Sequence, residues 1–337
     1  MDMDTHYRIF GAFGSPYTMK MRAVLRYRRL PYVFMLSGPG DEAIAHVRPP
    51  VIPVIQFPDG EWHVDSTPMI DLLEQDHPGR RSVIPDDPAH AFLAFLIEDF
   101  ADEWCTKMMF HYRWYRELDQ QAFSRWGSFD LLFGRGRDTI ERAARIFGDR
   151  QIGRLALVGS TEQNRPVIES GFEELIALLD EHVTERRFLF GSRPSRADFA
   201  LYGQLSQLGS DPTPAAIMRE RAPYTYRWLQ HVDDACGVEG QWSDGAEELA
   251  PVVTGLLAMC GGLYLPFLEA NASAFERGDD TVSVELRGRR FEQGTFKYQV
   301  KCLAELRRRF GELDDETRGR LEPVLESAGA LAALVRG

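Results

Sequence analysis

A chain of 337 residues has room for about two domains of ordinary size, and its 44% hydrophobic and 27% charged residues suit a soluble globular protein. Its 39 basic residues against 51 acidic ones leave a net charge of −12, which disfavours general binding to nucleic acid. Cys105, Cys236, Cys260 and Cys302 form no C-x-x-C pair, so neither a zinc site nor a disulfide framework is expected, and a reducing cytoplasm is.

Met1–Tyr7 holds acids and a histidine and no apolar run, so no secretory signal is expected there. Tyr7–Ala12 is a short apolar run before Gly14 and predicts a strand. Tyr17–Leu30 places Met21, Val24 and Leu25 at helical spacing and stops at Pro31. Tyr32–Leu36 predicts a buried strand, Ser37–Gly40 a turn and Asp41–His46 one helical turn. The β-branched run Val51–Phe57, the turn Pro58-Asp59-Gly60 and Glu61–Val64 predict a hairpin. Ser66–His77 carries Met69, Ile70, Leu72 and Leu73 and predicts a helix closed by Pro78. The order β-α-β-α-β-β-α describes a small α/β domain over residues 1–80.

Residues 81–88 continue a run rich in turn formers and charge, and predict a linker. Residues 89–337 then predict an enlarged all-helical domain. Its helical periods fall at Ala89–Leu118, Asp138–Ala156, Arg165–Glu185, Ser195–Leu208, Tyr224–Ala235 and Phe296–Phe310. Glu117–Arg137, with three glycines, reads as irregular. Leu249–Leu268 is twenty residues without a charge, but glycines and prolines interrupt it and no basic cluster flanks it. It reads as a buried core helix ending near Gly261, and no membrane span is expected. Thr281–Leu286 alternates strictly before Arg287-Gly288, which suggests a small hairpin near 281–293.

Three short segments of the first domain carry chemistry. Ser15-Pro16-Tyr17-Thr18 lies between the first strand and the first helix, where free backbone donors and the helix dipole favour an anion. Hydroxyls stand where a thiol-disulfide enzyme has its two cysteines, so a dithiol cycle through this loop is excluded. A hydroxyl there can hydrogen-bond a bound thiolate and lower its pKa; it can equally serve as a plain helix cap. Pro53 inside a β-branched run makes sense with a cis Ile52–Pro53 bond, which would leave the Ile52 backbone free for an extended, peptide-like ligand; an ordinary edge strand is the alternative. Asp65-Ser66 ends a strand and opens a helix, with Ser66 as N-cap. The pair would suit an α-amino acid head or simple capping.

Taken in order, Gly14–Arg22 (G-S-P-Y-T-M-K-M-R), Val51–Ile55 (V-I-P-V-I) and Asp65–Pro68 (D-S-T-P) resemble the N-terminal domain of glutathione S-transferases, serine/cysteine-class-like and of bacterial type. That resemblance implies a thioredoxin-like domain followed by an all-α domain. Ser15 stands seven positions before Arg22, the spacing of the catalytic residue in those classes. By resemblance, Ser15 would activate the glutathione thiol, Tyr17 or Tyr7 being the other candidates. Ile52, before cis-Pro53, would pair with the cysteinyl unit, and Asp65 and Ser66 would hold the γ-glutamyl group. A lysine that many members place near the glycyl carboxylate is missing, which leaves Arg48 or His46 as substitutes. The capping box Ser195–Asp198 resembles the one that opens the central helix of the family's C-terminal domain.

The first helix after the linker faces the cleft in this family. Phe100, Trp104, Met108, His111 and Tyr115 share a face that would line a pocket for an apolar electrophile, or form an aromatic core stripe. The acids Glu98, Asp99, Asp102 and Glu103 read as a solvated face rather than a metal site. The function implied is a glutathione transferase acting on a small apolar electrophile in detoxification, cytoplasmic and homodimeric, with glutathione as co-substrate and no metal. The alternative is a non-catalytic binding or scaffold protein of the same fold. A glutaredoxin-type activity would need Cys105 in the cleft.

Overall fold

The computed structural model describes residues 6–38, 41–79, 81–246 and 248–336. Four strands, β1 (Tyr7–Gly11), β2 (Tyr32–Leu36), β3 (Val54–Gln56) and β4 (Trp62–Val64), form one sheet in the order β2-β1-β3-β4. β1 and β2 are parallel, and the other pairs are antiparallel. Period-2 alternation decides which side chain goes where. Ile9 and Ile55 are paired across β1 and β3 and belong to the main core, with Met21, Val24 and Leu25 of α1 (Pro16–Tyr27) and Met69, Ile70 and Leu73 of α3 (Ser66–Asp76). Their neighbours Phe10 and Val54 face the opposite way, under Ala43 and Ile44 of the one-turn helix α2 (Glu42–Ala45). The sheet is therefore covered on both faces.

From Pro88 onward the regular elements among the described residues are helices and one hairpin. α4 (Pro88–Phe100) runs through a π-helical turn, Ala101–Cys105, into α5 (Thr106–Tyr115). α6 (Glu117–Leu131) and α7 (Arg137–Ile152) pack as a pair, and α8 (Arg165–Glu185), α9 (Arg196–Leu208), α10 (Pro212–Arg221) and α11 (Pro223–Asp233) follow. α9 is the pivot between the two parts. It opens with the expected capping box, Ser195 and Asp198, and crosses α1 at Gly203. A Cβ there would lie 2.7 Å from the Pro16 carbonyl oxygen, so glycine permits the close approach.

The remaining chain wraps α4 and α5. α12 (Pro251–Met259) passes through a second π-helical turn, Cys260–Tyr264, into α13 (Leu265–Arg277). The hairpin β5 (Thr281–Leu286) and β6 (Arg289–Gly294) follows, then α14 (Lys297–Gly311), α15 (Asp315–Ser327) and α16 (Leu331–Val335). Phe267 and Phe291 pack on Trp104, and Phe310 packs on Phe92.

Several sequence expectations are corrected. The helix expected at Ala89–Leu118 breaks at Arg116, whose backbone is extended. The segment expected to be irregular holds the 15-residue α6, because Gly127 sits against Phe123 and Phe147 where α6 and α7 meet. The strand expected at Val51–Phe57 begins only at Val54. The apolar helix does not end near Gly261 but continues to Arg277. A Cβ at Gly261 would collide with the Ala328 carbonyl, so this glycine admits a neighbouring chain rather than stopping the helix. The span Pro251–Arg277 is long and apolar enough to cross a membrane, yet 67% of its most apolar window is buried inside the protein. Pro39 and Gly40 of the expected Ser37–Gly40 turn lie outside the described residues.

Candidate functional site

Ser15 caps α1. Its backbone is extended (φ −98°, ψ 119°) and its Oγ accepts the Thr18 amide at 3.2 Å. The hydroxyl proton has no acceptor among the described residues, and Ser15 is 9% exposed. The loop before it is held from the helical part of the molecule. Arg113 Nη1 donates to the Gly14 carbonyl at 2.8 Å, and Gln207 Nε2 donates to the Phe13 carbonyl at 3.1 Å. Arg113 is itself fixed by Asp211 and Gln207, both at 2.8 Å, and lies over the Phe123 ring. Sequence reasoning missed Arg113, whose only signal is a lone arginine in the apolar stretch His111–Tyr115.

Tyr17, the second catalytic candidate, donates its hydroxyl to the Asp102 carbonyl at 2.8 Å. Burial pushes that phenol well above its ordinary pKa, with Glu103 and Asp102 adding to the shift. It acts as a bond between the two parts, and its proton is already used. Tyr7 likewise pairs with His77 at 2.8 Å. Arg22 is held over the Phe13 and Phe34 rings.

The second segment has the expected cis Ile52–Pro53 peptide, and Arg48–Pro49 is also cis. Ile52 is half-buried and Pro53 buried. Arg48 is exposed, and its guanidinium donates to the Ala45 and Val47 carbonyls of its own loop. His46 stacks on Trp62 with ring centroids 4.3 Å apart.

The third segment departs from expectation at Ser66. Asp65, not Ser66, caps α3: its Oδ1 accepts the Thr67 amide at 3.4 Å. Asp65 also has a φ of +77°, a conformation that a non-glycine residue adopts at a cost and that clusters at functional sites. Its Oδ2 accepts a 2.7 Å hydrogen bond from Tyr298 on α14, a partner outside all three motifs. Ser66 is buried and accepts from Lys20 Nζ at 3.1 Å.

Lys20 shows why the acids on α4 are not a solvated face. Its ammonium is 2.6 Å from both Glu98 and Asp102, all three being buried. Burial works against the Lys20 charge, but Asp102 and Glu98 outweigh it and the net shift is upward. Arg196 of α9 pairs with Glu98 and with Asp71, and Asp71 also meets Arg309 of α14. One ion network thus joins α1, α3, α4, α9 and α14 behind Asp65 and Ser66. The available signal was the unbroken apolar context of Glu98–Asp102, matched with one of only four lysines in the chain.

The proposed electrophile-lining residues are corrected by the same burial. Trp104, Met108 and His111 are core residues, 1%, 0% and 0% exposed. Trp104 is covered by Phe267 and Phe291, and His111 is bonded to Ser160 and Glu169. Cys105 is also buried, beside Cys260 rather than in a cleft. The half-buried Glu103, Thr106 and Phe110, with the buried Lys107 beside them, instead line a recess of about 180 Å³. Val158 closes one side, and Phe296, Tyr298 and Gln299 of the C-terminal segment complete it. A single 3.6-residue period drawn from Phe100 to Tyr115 passes through the π-helical turn at Ala101–Cys105. That turn inserts an extra residue and changes the helix face.

With this geometry in place, the glutathione S-transferase N-terminal domain model matches residues 9–81 and the corresponding C-terminal domain model matches residues 135–231. Together the matches span half of the chain, which belongs to the glutathione S-transferase family. The fold is accordingly a thioredoxin-like domain followed by an all-α domain. No curated protein matches the chain. Among solved structures it is similar to a glutathione S-transferase of Methylobacterium radiotolerans in complex with glutathione sulfonate, with 21% identity, a TM-score of 0.45, and 73% of this chain and 100% of that one covered. It is also similar to a glutathione S-transferase of Methylobacillus flagellatus with glutathione bound, with 18% identity, a TM-score of 0.42, and coverage of 68% and 96%. A third is a beta-etherase of Sphingobium, with 15% identity, a TM-score of 0.46, and coverage of 74% and 98%.

Proposed function

We propose that the protein is an enzyme that activates the glutathione thiol for attack on an apolar electrophile. The observation that carries this reading is Ser15, a buried hydroxyl at the N-terminus of α1 with its proton unused, on a loop clamped by Arg113 and Gln207. A thiolate at this point would take the Ser15 hydrogen bond and face the positive end of α1. The Ile52 backbone would pair with the cysteinyl unit. Asp65 would take the α-amino group, and the first turn of α3 the γ-glutamyl carboxylate. Residues 1–80 would thus be the glutathione-binding domain, and 89–337 would supply the second substrate's surroundings. The thiol proton leaves to solvent, the sulfur forms a bond to the electrophilic carbon as that carbon's leaving group departs with its bonding pair, and fixed geometry in the cleft supplies much of the rate. A reducing cytoplasm suits a thiol co-substrate, and a detoxifying homodimer is expected from the family alone.

Replacing Ser15 tests the assignment. A hydrogen bond to a charged group is worth about 1.5–3 kcal/mol, which is roughly one to two pKa units. Ser15→Ala therefore raises the pKa of bound glutathione by about that much and slows conjugation. The ultraviolet absorbance of the thiolate across a pH series reads this directly; an unchanged pKa removes Ser15 from the role.

A specific observation also favours the non-catalytic reading. Asp65 is already bonded to Tyr298, and Arg48 is turned onto its own loop, so two of the expected glutathione contacts are occupied within the chain. A scaffold protein would keep them so when glutathione is added.

A further inference from the structure

The recess beside α5 contains a group that the thiol chemistry does not use. Lys107 is 4% exposed, and its ammonium rests over the Phe267 ring, 4.6 Å from the centroid, with Trp104 beyond. Its one hydrogen-bond acceptor among the described residues is Gln293 Oε1 on β6, and no described carboxylate lies within ion-pair distance. A buried cation in this state needs a counter-ion or must give up its proton. Burial accordingly pulls the Lys107 pKa down to about 7, Glu103 opposing the shift.

Glu103 stands one turn away on the same wall. Burial, with Asp99 and Asp102 nearby, pushes its carboxyl up to about 8, which weakens it as a counter-ion for Lys107. Two amides from the C-terminal segment connect the pair: Gln293 Nε2 donates to Gln299 Oε1 at 3.5 Å, and Gln299 Nε2 to Glu103 Oε2 at 3.4 Å. The rest of the wall includes Phe110, Val158 and Phe296. A volume of about 180 Å³ holds one aromatic ring with a small substituent, since a dry cavity of about 150 Å³ accepts benzene.

We propose that this recess binds a single-ring apolar molecule through a carboxylate that pairs with Lys107. An incoming carboxylate supplies the counter-ion that Lys107 lacks, whereas a cationic ligand would meet the ammonium and a neutral one would leave it unpaired. The recess borders the candidate glutathione site at Tyr298, which lines it and donates its hydroxyl to Asp65 Oδ2 at 2.7 Å. As the electrophile site of a transferase, this assignment rests on the function proposed above, and it makes the electrophile an aromatic acid; as a carboxylate site it stands alone.

Benzoate and its neutral isostere benzamide are the probes, titrated calorimetrically into the full-length protein, with glutathione titrated separately. The expected result is benzoate binding at least tenfold tighter than benzamide. Lys107→Met should bring the two within about twofold, and Lys107→Arg should restore a preference for benzoate. Equal affinity of the two probes for the unmodified protein overturns the proposal without need of any variant, as does a preference that survives Lys107→Met. Heat from glutathione without a benzoate preference removes this site and leaves the transferase reading. A benzoate preference without glutathione heat does the reverse.

Discussion

Burial gives ordinary side chains their unusual properties here. Asp99 is pushed up to about 7 by burial, against a hydrogen bond from Tyr264 at 2.6 Å and with Asp102 and Glu98 adding to the rise. A raised carboxyl means that the folded state holds its proton more tightly than the unfolded one, whose aspartates titrate near 3.9. The associated stability is complete below about pH 4 and is lost as the pH rises towards 7. Glu103, raised to about 8, and Asp198, raised to about 6, act in the same direction. The protein is therefore expected to weaken between about pH 5 and pH 8. Asp99→Asn keeps an acceptor for Tyr264 and removes the charge, so it should reduce that loss by roughly 1–3 kcal/mol. Urea denaturation midpoints at the two pH values measure this, and an unchanged loss in the variant contradicts it.

At the scale of elements, the C-terminal segment is the part that alters the site. α14 brings Tyr298 to Asp65 and Gln299 to Glu103, and the hairpin brings Gln293 to Lys107. If glutathione needs Asp65 for its amino group, the Tyr298 hydroxyl competes with it. Tyr298→Phe removes the competing donor and leaves the ring. Tyr298 is 46% exposed, so the bond it breaks is worth less than a buried one, about 0.5–1.5 kcal/mol. Glutathione should bind the variant about two- to tenfold more tightly. Weaker binding would mean that Tyr298 helps to hold the ligand.

The elements also show what a sequence can disclose. The thioredoxin-like domain was legible because each step is local: a β-branched run, a proline, a capping residue and an alternating face specify neighbours within a few positions. Asp65-Ser66 was legible as a helix start, although which of the two caps it depends on Lys20, which takes the Ser66 hydroxyl. The long helix after the linker was not legible in detail. Its period changes at a π-helical turn, and whether its residues face a pocket or a core depends on distant partners: Phe267 and Phe291 for Trp104, and Ser160 and Glu169 for His111. Arg113 and Tyr298 were missed for the same reason: each meets its partner, Gly14 or Asp65, only across the tertiary fold.

For the whole molecule, length is redistributed. The sheet and its motifs occupy the first 76 residues, and the larger remainder meets them through α9, packed on α1, and through Tyr298 and Arg309 of α14, bonded to Asp65 and Asp71. A central ion network, from Lys20 through Glu98 and Arg196 to Asp71 and Arg309, joins the two parts beside Ser66 and Thr67. The claim that depends on this architecture is that the cleft takes glutathione. Titration calorimetry with reduced glutathione on the unmodified protein tests it most directly. Saturable heat with one site per chain and an affinity in the millimolar range or tighter is the expected result. No heat at millimolar ligand would contradict it and leave a glutathione-transferase fold that serves as a binding protein.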